Sequence, residues 1–274
     1  HSQDIAGGTA PMKMLLSVLA LAATAVACSD NGGSAEAELL KALQSDNAEA
    51  QQRAAEEIRR DPILLSKVPG GKEAILAVFD NPGRHQGPLA MAMGKTWGAS
   101  VRKNLVGALD ESGLIPTSDG EREANATNRA ILTSLYEMVR DQGVKLGASE
   151  ANAAALYVGA GDVQTVLSAI TLLGAIGDSA GTAPLLTALA ESDNNFIVKS
   201  AVIALGNIRD AKAGDELIYH LFRERTGVSF YAESSFAVFQ LSDHESVMKA
   251  LDNTLRGKNE RVNAAQRGSK QCQD

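Results

Sequence analysis

Hydrophobic and polar positions along residues 162–224 trace one helical pattern twice. Val166, Ala169, Ile170 and Leu173 keep the i, i+3, i+4, i+7 spacing of an amphipathic helix. Val198, Ala201, Val202 and Leu205 repeat them 32 residues later. Gly174 then matches Gly206, Ile176 matches Ile208 and Asp178 matches Asp210. A second apolar set follows, with Leu185, Leu186 and Leu189 answered by Leu217, Ile218 and Leu221. Each unit therefore predicts two helices and a short turn. One such hairpin cannot bury its apolar face alone, so a period of this length predicts stacked units sharing one elongated core. Asp162 is expected to cap the first helix, and Asp178 and Asp210 to supply acceptors at the turns. Gly174 and Gly206 are expected to let neighbouring helices approach closely.

The pattern extends beyond the clear pair. In residues 36–61, Leu39, Leu40 and Leu43 fall on Leu185, Leu186 and Leu189, and a Ser-Asp-Asn turn follows in both. The fold is thus expected to open on the second helix of a repeat. Over residues 62–160 the repeat is degraded. Val101, Leu105, Val106 and Leu109 make one helical stripe there, Ile131, Leu132, Leu135, Tyr136 and Val139 another. Residues 112–125 are polar and turn-rich, either an extended junction or a functional loop. The last repeat aligns at a shift of 33, placing Leu241 on Ile208, or of 34, placing Phe236 on Val202 and Phe239 on Leu205. Residues 257–274 read as a frayed polar tail.

Composition narrows the class. A chain that is 45% hydrophobic but only 4% aromatic suits closely packed helices rather than a β-sandwich. A net charge of −7 gives no general attraction to phosphate backbones, which argues against nucleic acid as a partner. Two cysteines, Cys28 and Cys272, are too few for a disulfide framework.

Residues 1–11 precede Met12 and read as upstream or appended sequence outside the fold. Residues 12–27 have the form of a signal peptide, with Lys13 ahead of the uncharged apolar run 15–27. That run is shorter than the roughly 20 residues needed to span a bilayer. Ala25-Val26-Ala27-Cys28 resembles the lipobox of bacterial lipoproteins, although Ala25 stands where that family usually has Leu. The resemblance implies cleavage before Cys28 and attachment of several acyl chains to it, enough for a stable membrane anchor. Ser29 in place of Asp after Cys28 implies the outer membrane, with the protein facing the periplasm. Residues 28–35 would then be the lipidated cysteine and a polar linker.

The motif D-x-x-x-V-x-x-A-I/V-x-x-L-G-x-I-x-D, followed by L-L/I-x-x-L, resembles HEAT repeats, in particular the short type of bilin-lyase-related proteins. The resemblance implies an all-α fold, a right-handed α-solenoid of stacked HEAT-like hairpins over residues 36–256. It also implies that the second helix of each repeat lines the concave surface. Leu217, Ile218 and Leu221 would face the core, leaving Tyr219, His220 and Arg223 outward. One repeat earlier the matching positions are Thr187, Ala188 and Glu191. Glu191, Tyr219, His220 and Arg223 are therefore the candidate protein-binding residues. Six of the eleven aromatics lie between Tyr219 and Phe239. They are a docking patch or packing for the last repeats, and Phe222, Phe236 and Phe239 are assigned to packing.

No constellation for catalysis emerges. The four histidines form no HExxH, and no G-x-S-x-G is present. Gly94-Lys95-Thr96 lacks the glycine five positions earlier that a phosphate loop needs, since Leu89 stands there, and reads as a helix-to-helix turn. No metal or cofactor is expected. The expectation is a membrane-anchored scaffold for protein interaction in the bacterial envelope, without catalysis and with a protein or peptide partner. The alternative is a HEAT-like lyase or an accessory subunit of an enzyme.

Overall fold

A computed structural model describes residues 35–66, 70–225 and 228–271. The apolar run 15–27, Cys28 and Cys272 lie outside the described residues. The fold is all-α. In chain order the helices are α1 (Ala35–Leu43), α2 (Ala48–Arg60), α3 (Ile63–Ser66), α4 (Gly71–Phe79) and α5 (Gln86–Trp97). Then come α6 (Arg102–Gly107), α7 (Asp119–Gln142), α8 (Ala148–Ala155), α9 (Val163–Ile176) and α10 (Thr182–Glu191). The last five are α11 (Asn195–Ile208), α12 (Gly214–Leu221), α13 (Tyr231–Gln240), α14 (Glu245–Leu255) and α15 (Glu260–Gln271). Between α12 and α13 a short ladder pairs Glu224 with Ser229 and Arg225 with Val228. No helix among the described residues is long and apolar enough to cross a membrane.

The paired repeat folds as its pattern dictates. Asp162 caps α9 by accepting from the Thr165 amide at 2.9 Å, and Asn194 caps α11 by accepting from Phe196 at 2.9 Å. Val166, Ala169, Ile170 and Leu173 are buried on α9, and Val198, Ala201, Val202 and Leu205 on α11. Each large side chain so buried contributes roughly 1.5–3 kcal/mol. Gly177 ends α9 in the left-handed region at φ 71°. The matching residue after α11 is Arg209, at φ 60° without a glycine's freedom. Its carbonyl accepts from His244 Nε2 at 2.8 Å, and its guanidinium meets Asp243 at 2.8 Å. Asp178 and Asp210 each accept from an amide two residues on, at 2.9 and 3.0 Å, capping a single 3₁₀ turn before the next helix.

The helices form two layers. In one, α2, α5, α7, α9, α11 and α13 lie side by side in that order. Glycines bring this layer together: a Cβ on Gly174 would lie 2.9 Å from Ala204 Cα, and one on Gly206 2.8 Å from Ala237 Cα. The other layer contains α1, α8, α10, α12 and α14. Here α1 packs on α2, α8 on α9, α10 on α11 and α12 on α13. This corrects the phase read from the sequence, which paired α9 with α10 and α11 with α12. Residues 36–61 do open on a second-type helix: α1 lies in the layer of α10 and α12, and packs on α2 as α10 packs on α11. Only residues 192–194 separate α10 from α11 and only residues 44–47 separate α1 from α2, links that suit antiparallel neighbours.

The last repeat follows the shift of 33. Leu241, Ala237 and Val238 are buried at the positions of Ile208, Ala204 and Leu205, while Phe236 and Phe239 are exposed. The shift of 34 and the assignment of both phenylalanines to packing are thus corrected; only Phe222 packs partly against the core. The β-ladder replaces the first turn that α11 has, so α13 starts three residues late relative to that shift.

Three further expectations change. Most of residues 112–125 is helix, because Ser118 and Glu121 form a capping box that starts α7 at Asp119. The tail is not frayed over its described part: α15 buries Val262 and ties Arg261 to Glu216. Gly94-Lys95-Thr96 is no turn but the end of α5, with Gly94 buried against Ser134 of α7.

Candidate functional site

The layer that begins with α2 and ends with α13 carries two grooves on its outer side. The first, of about 490 Å³, runs across α2, α5 and α7. Its floor is apolar and small: Gly87, Pro88 and Met91 on α5 face Ala126 and Ala130 on α7. Gly87 lies close to α7, with Ala130 Cβ 3.6 Å from where its own Cβ would stand, an ordinary contact distance. Three arginines line the rim, each held by a carboxylate. Arg59 bonds Glu56 at 2.9 Å, Arg84 reaches from the turn before α5 to Glu123 of α7 at 3.0 Å, and Arg122 pairs with Asp119. These pairs are partly or largely exposed, so they add little stability. They leave charged hydrogen-bonding groups of both signs around an apolar trough.

The second groove, of about 410 Å³, lies across α7, α9 and α11. Gly174, Ala175 and Ala204 line it together with Ile203, which is 39% exposed, and Tyr136 and Arg140 of α7. Arg140 lies over the Tyr136 ring at 5.1 Å and is clamped by both oxygens of Asp141 at 2.6 and 2.7 Å.

A junction fixes the first half of α7, the stretch that lines the first groove. Asn128, fully buried, accepts from the Asp110 amide at 2.9 Å and donates to the Asp110 carbonyl at 2.7 Å. One turn earlier Asn125 donates to the Gly113 carbonyl at 2.8 Å and accepts from Thr165 of α9 at 3.0 Å. Gly113 is required there, because a Cβ would sit 2.6 Å from the Asn125 amide nitrogen. Beside it Tyr157 is buried, and burial, with Asp110 and Glu111 nearby, pushes its phenol up to about 12. The stretch is a clamped junction and not a free loop.

The residues nominated from the sequence lie on the other layer. Glu191 is exposed at the end of α10. Tyr219 is half-buried, with the Arg261 guanidinium 3.7 Å from its ring centre and Arg223 at 5.2 Å. His220 faces inward, a correction: it is 2% exposed, with Nε2 3.4 Å from Glu216. Ala188 is buried too. The physical reason is that α12 is covered by both α13 and α14, so its buried arc is wider than the two-sided pattern assumes. His220 and then Arg261 hold the Glu216 carboxyl down to about 2. Among the described residues no group of three His, Cys, Asp or Glu could hold a metal ion.

The grooves were missed because their signal is weak. Gly87, Ala126 and Ala130 look like ordinary helix packing residues, and the arginines like a solvated face. No protein-family model matches this chain, and no curated protein matches it as a relative.

Proposed function

We propose that this chain is a HEAT-like, right-handed α-solenoid that works as a scaffold for protein interaction and has no catalysis of its own. The observation that carries this reading is the pair of grooves on one layer, each with small apolar residues inside and charged or hydrogen-bonding groups around them. Such a trough suits an extended or helical peptide, whose apolar side chains fill the floor while its polar groups meet the rim. The first groove is the primary site, with Met91 and Ala126 as contacts. Glu191, Tyr219 and Arg223 are secondary, since Tyr219 and Arg223 already serve contacts within the chain.

The lipobox-like run ending at Cys28 supports a lipid anchor in a bacterial envelope, outer membrane by the sorting rule. On that reading the scaffold sits near the membrane surface and gathers partners there. Replacing Cys28 with Ala should abolish lipid labelling and release the protein from membranes. For the groove, a photo-reactive residue at position 91 should give a discrete protein adduct in intact cells. Ala126→Arg, which crowds the floor, should remove it. Adduct formation at position 219 but not at 91 would move the site to the other layer. A chromophore that co-purifies with the chain would sink the scaffold reading in favour of a lyase.

A further inference from the structure

The stack carries an open slot at its α13–α14 end. In earlier repeats, the place of Gly174 is covered by Ala204 and the place of Gly206 by Ala237. The shift of 33 puts Phe239 at the next equivalent place, and it is 69% exposed, with Phe236 at 54%. In the other layer α14 stacks on α12, with Val247 against Gly214. On α14 Met248 is 40% exposed, and Leu255 two turns further along is 68% exposed. In each preceding hairpin a helix fills this position: α11 lies on α9 beside α10, and α13 lies on α11 beside α12.

The next helix of the chain does not fill the slot. α15 is tied to α12, through Arg261 to Glu216 at 2.9 Å and over the Tyr219 ring, and Phe236, Phe239, Met248 and Leu255 stay exposed beside it. Its sequence explains this. Aligned on α11 by Val262 and Ala265, it carries Gln266 and Ser269 where α11 has Val202 and Leu205. A helix so polar cannot cover two phenylalanines.

We propose that a second copy of this chain covers the slot, tail to tail, giving a closed twofold dimer. The two ends of the stack differ. Neither α1 nor α2 exposes a large hydrophobic side chain, and α2 shows Gln51, Gln52, Arg53 and Arg59 instead. A head-to-tail contact would set an apolar end against a polar one. A tail-to-tail contact sets the apolar patch against itself, which closes after two copies. The two phenylalanines expose on the order of 250 Å², and Met248 and Leu255 bring the patch to roughly 400 Å² per copy. Two copies then bury about 800 Å² of apolar surface, half of a standard interface of roughly 1,600 Å². That share matches the apolar fraction of ordinary interfaces.

Sedimentation velocity on the purified chain over a wide concentration range tests this. The expected result is a concentration-dependent species of twice the chain mass. Phe239→Glu should weaken its association at least roughly 100-fold, as loss of a central hot spot does, while far-UV circular dichroism stays unchanged. Arg53→Glu at the opposite end should leave association as it was. A species of single-chain mass at every concentration overturns the proposal. So does a dimer that Phe239→Glu leaves intact, or one that Arg53→Glu disrupts.

Discussion

Adding one methyl group at Gly206 should separate two helices. The new Cβ would lie 2.8 Å from Ala237 Cα and 2.9 Å from Ala237 Cβ, against 3.4 Å for the closest ordinary contact. The difference, 3.4 − 2.8, is 0.6 Å, and the nearest obstacle is backbone, so α13 as a whole must move. A radial gap of about 0.5–1 Å forfeits a quarter to a half of each atom pair's dispersion energy. With some tens of pairs across α11 and α13 at ~0.1–0.2 kcal/mol each, the loss is about 1–4 kcal/mol. Replacing a mid-helix glycine by alanine returns about 1 kcal/mol of helix propensity. The net expectation for Gly206→Ala is a loss of about 1–3 kcal/mol. Gly120, near the start of α7, has nothing within 4 Å of its would-be Cβ and no left-handed φ. Gly120→Ala should therefore stabilise by about 0.4–1 kcal/mol through the unfolded chain. Urea denaturation of both variants gives the two signs, and hydrogen exchange should show the Gly206→Ala loss first in α13. If Gly206→Ala raises the midpoint as Gly120→Ala does, close approach is not what these glycines provide.

Two other perturbations address separate parts of the fold. Asn128→Ala removes both bonds to the Asp110 backbone; it should cost about 1–3 kcal/mol, read as a lower urea midpoint, with faster exchange at residues 110–114. Glu216 has a folded pKa of about 2 against an ordinary 4.5, so its hold on α15 is complete above pH 4.5 and lost as the pH falls through about 2. Protection factors in residues 260–267, taken against the intrinsic rate at each pH, should fall in acid over that window, and Glu216→Gln should produce the same loss of protection at neutral pH.

Much of the framework was legible because it is encoded by repetition. Asp162, Gly174 and Gly206 each perform the role their spacing implied. The pairing of helices was not legible, because both layers carry comparable apolar stripes. The lengths of the links do not decide it either, since α12 packs on α13 across residues 222–230. The start of α7 was hidden by polar residues that are buried all the same: Asn125 and Asn128 face inward because the 110–114 backbone needs partners. His220 was misplaced because a periodicity argument counts two neighbours, and α12 has more. The grooves left almost no trace, since a trough is made by small residues that are equally common in plain helix contacts.

Helix α7 has 24 residues, which at 1.5 Å per residue makes a rod of about 36 Å. Its first half walls one groove through Asp119, Arg122 and Ala126, and its second half walls the other through Tyr136 and Arg140. Asn125 and Asn128 lie in the first half of the rod, on the stretch that walls the first groove, and tie it to the 110–114 backbone and to α9. Because one rod walls both troughs, a substitution that bent α7 would reshape both at once.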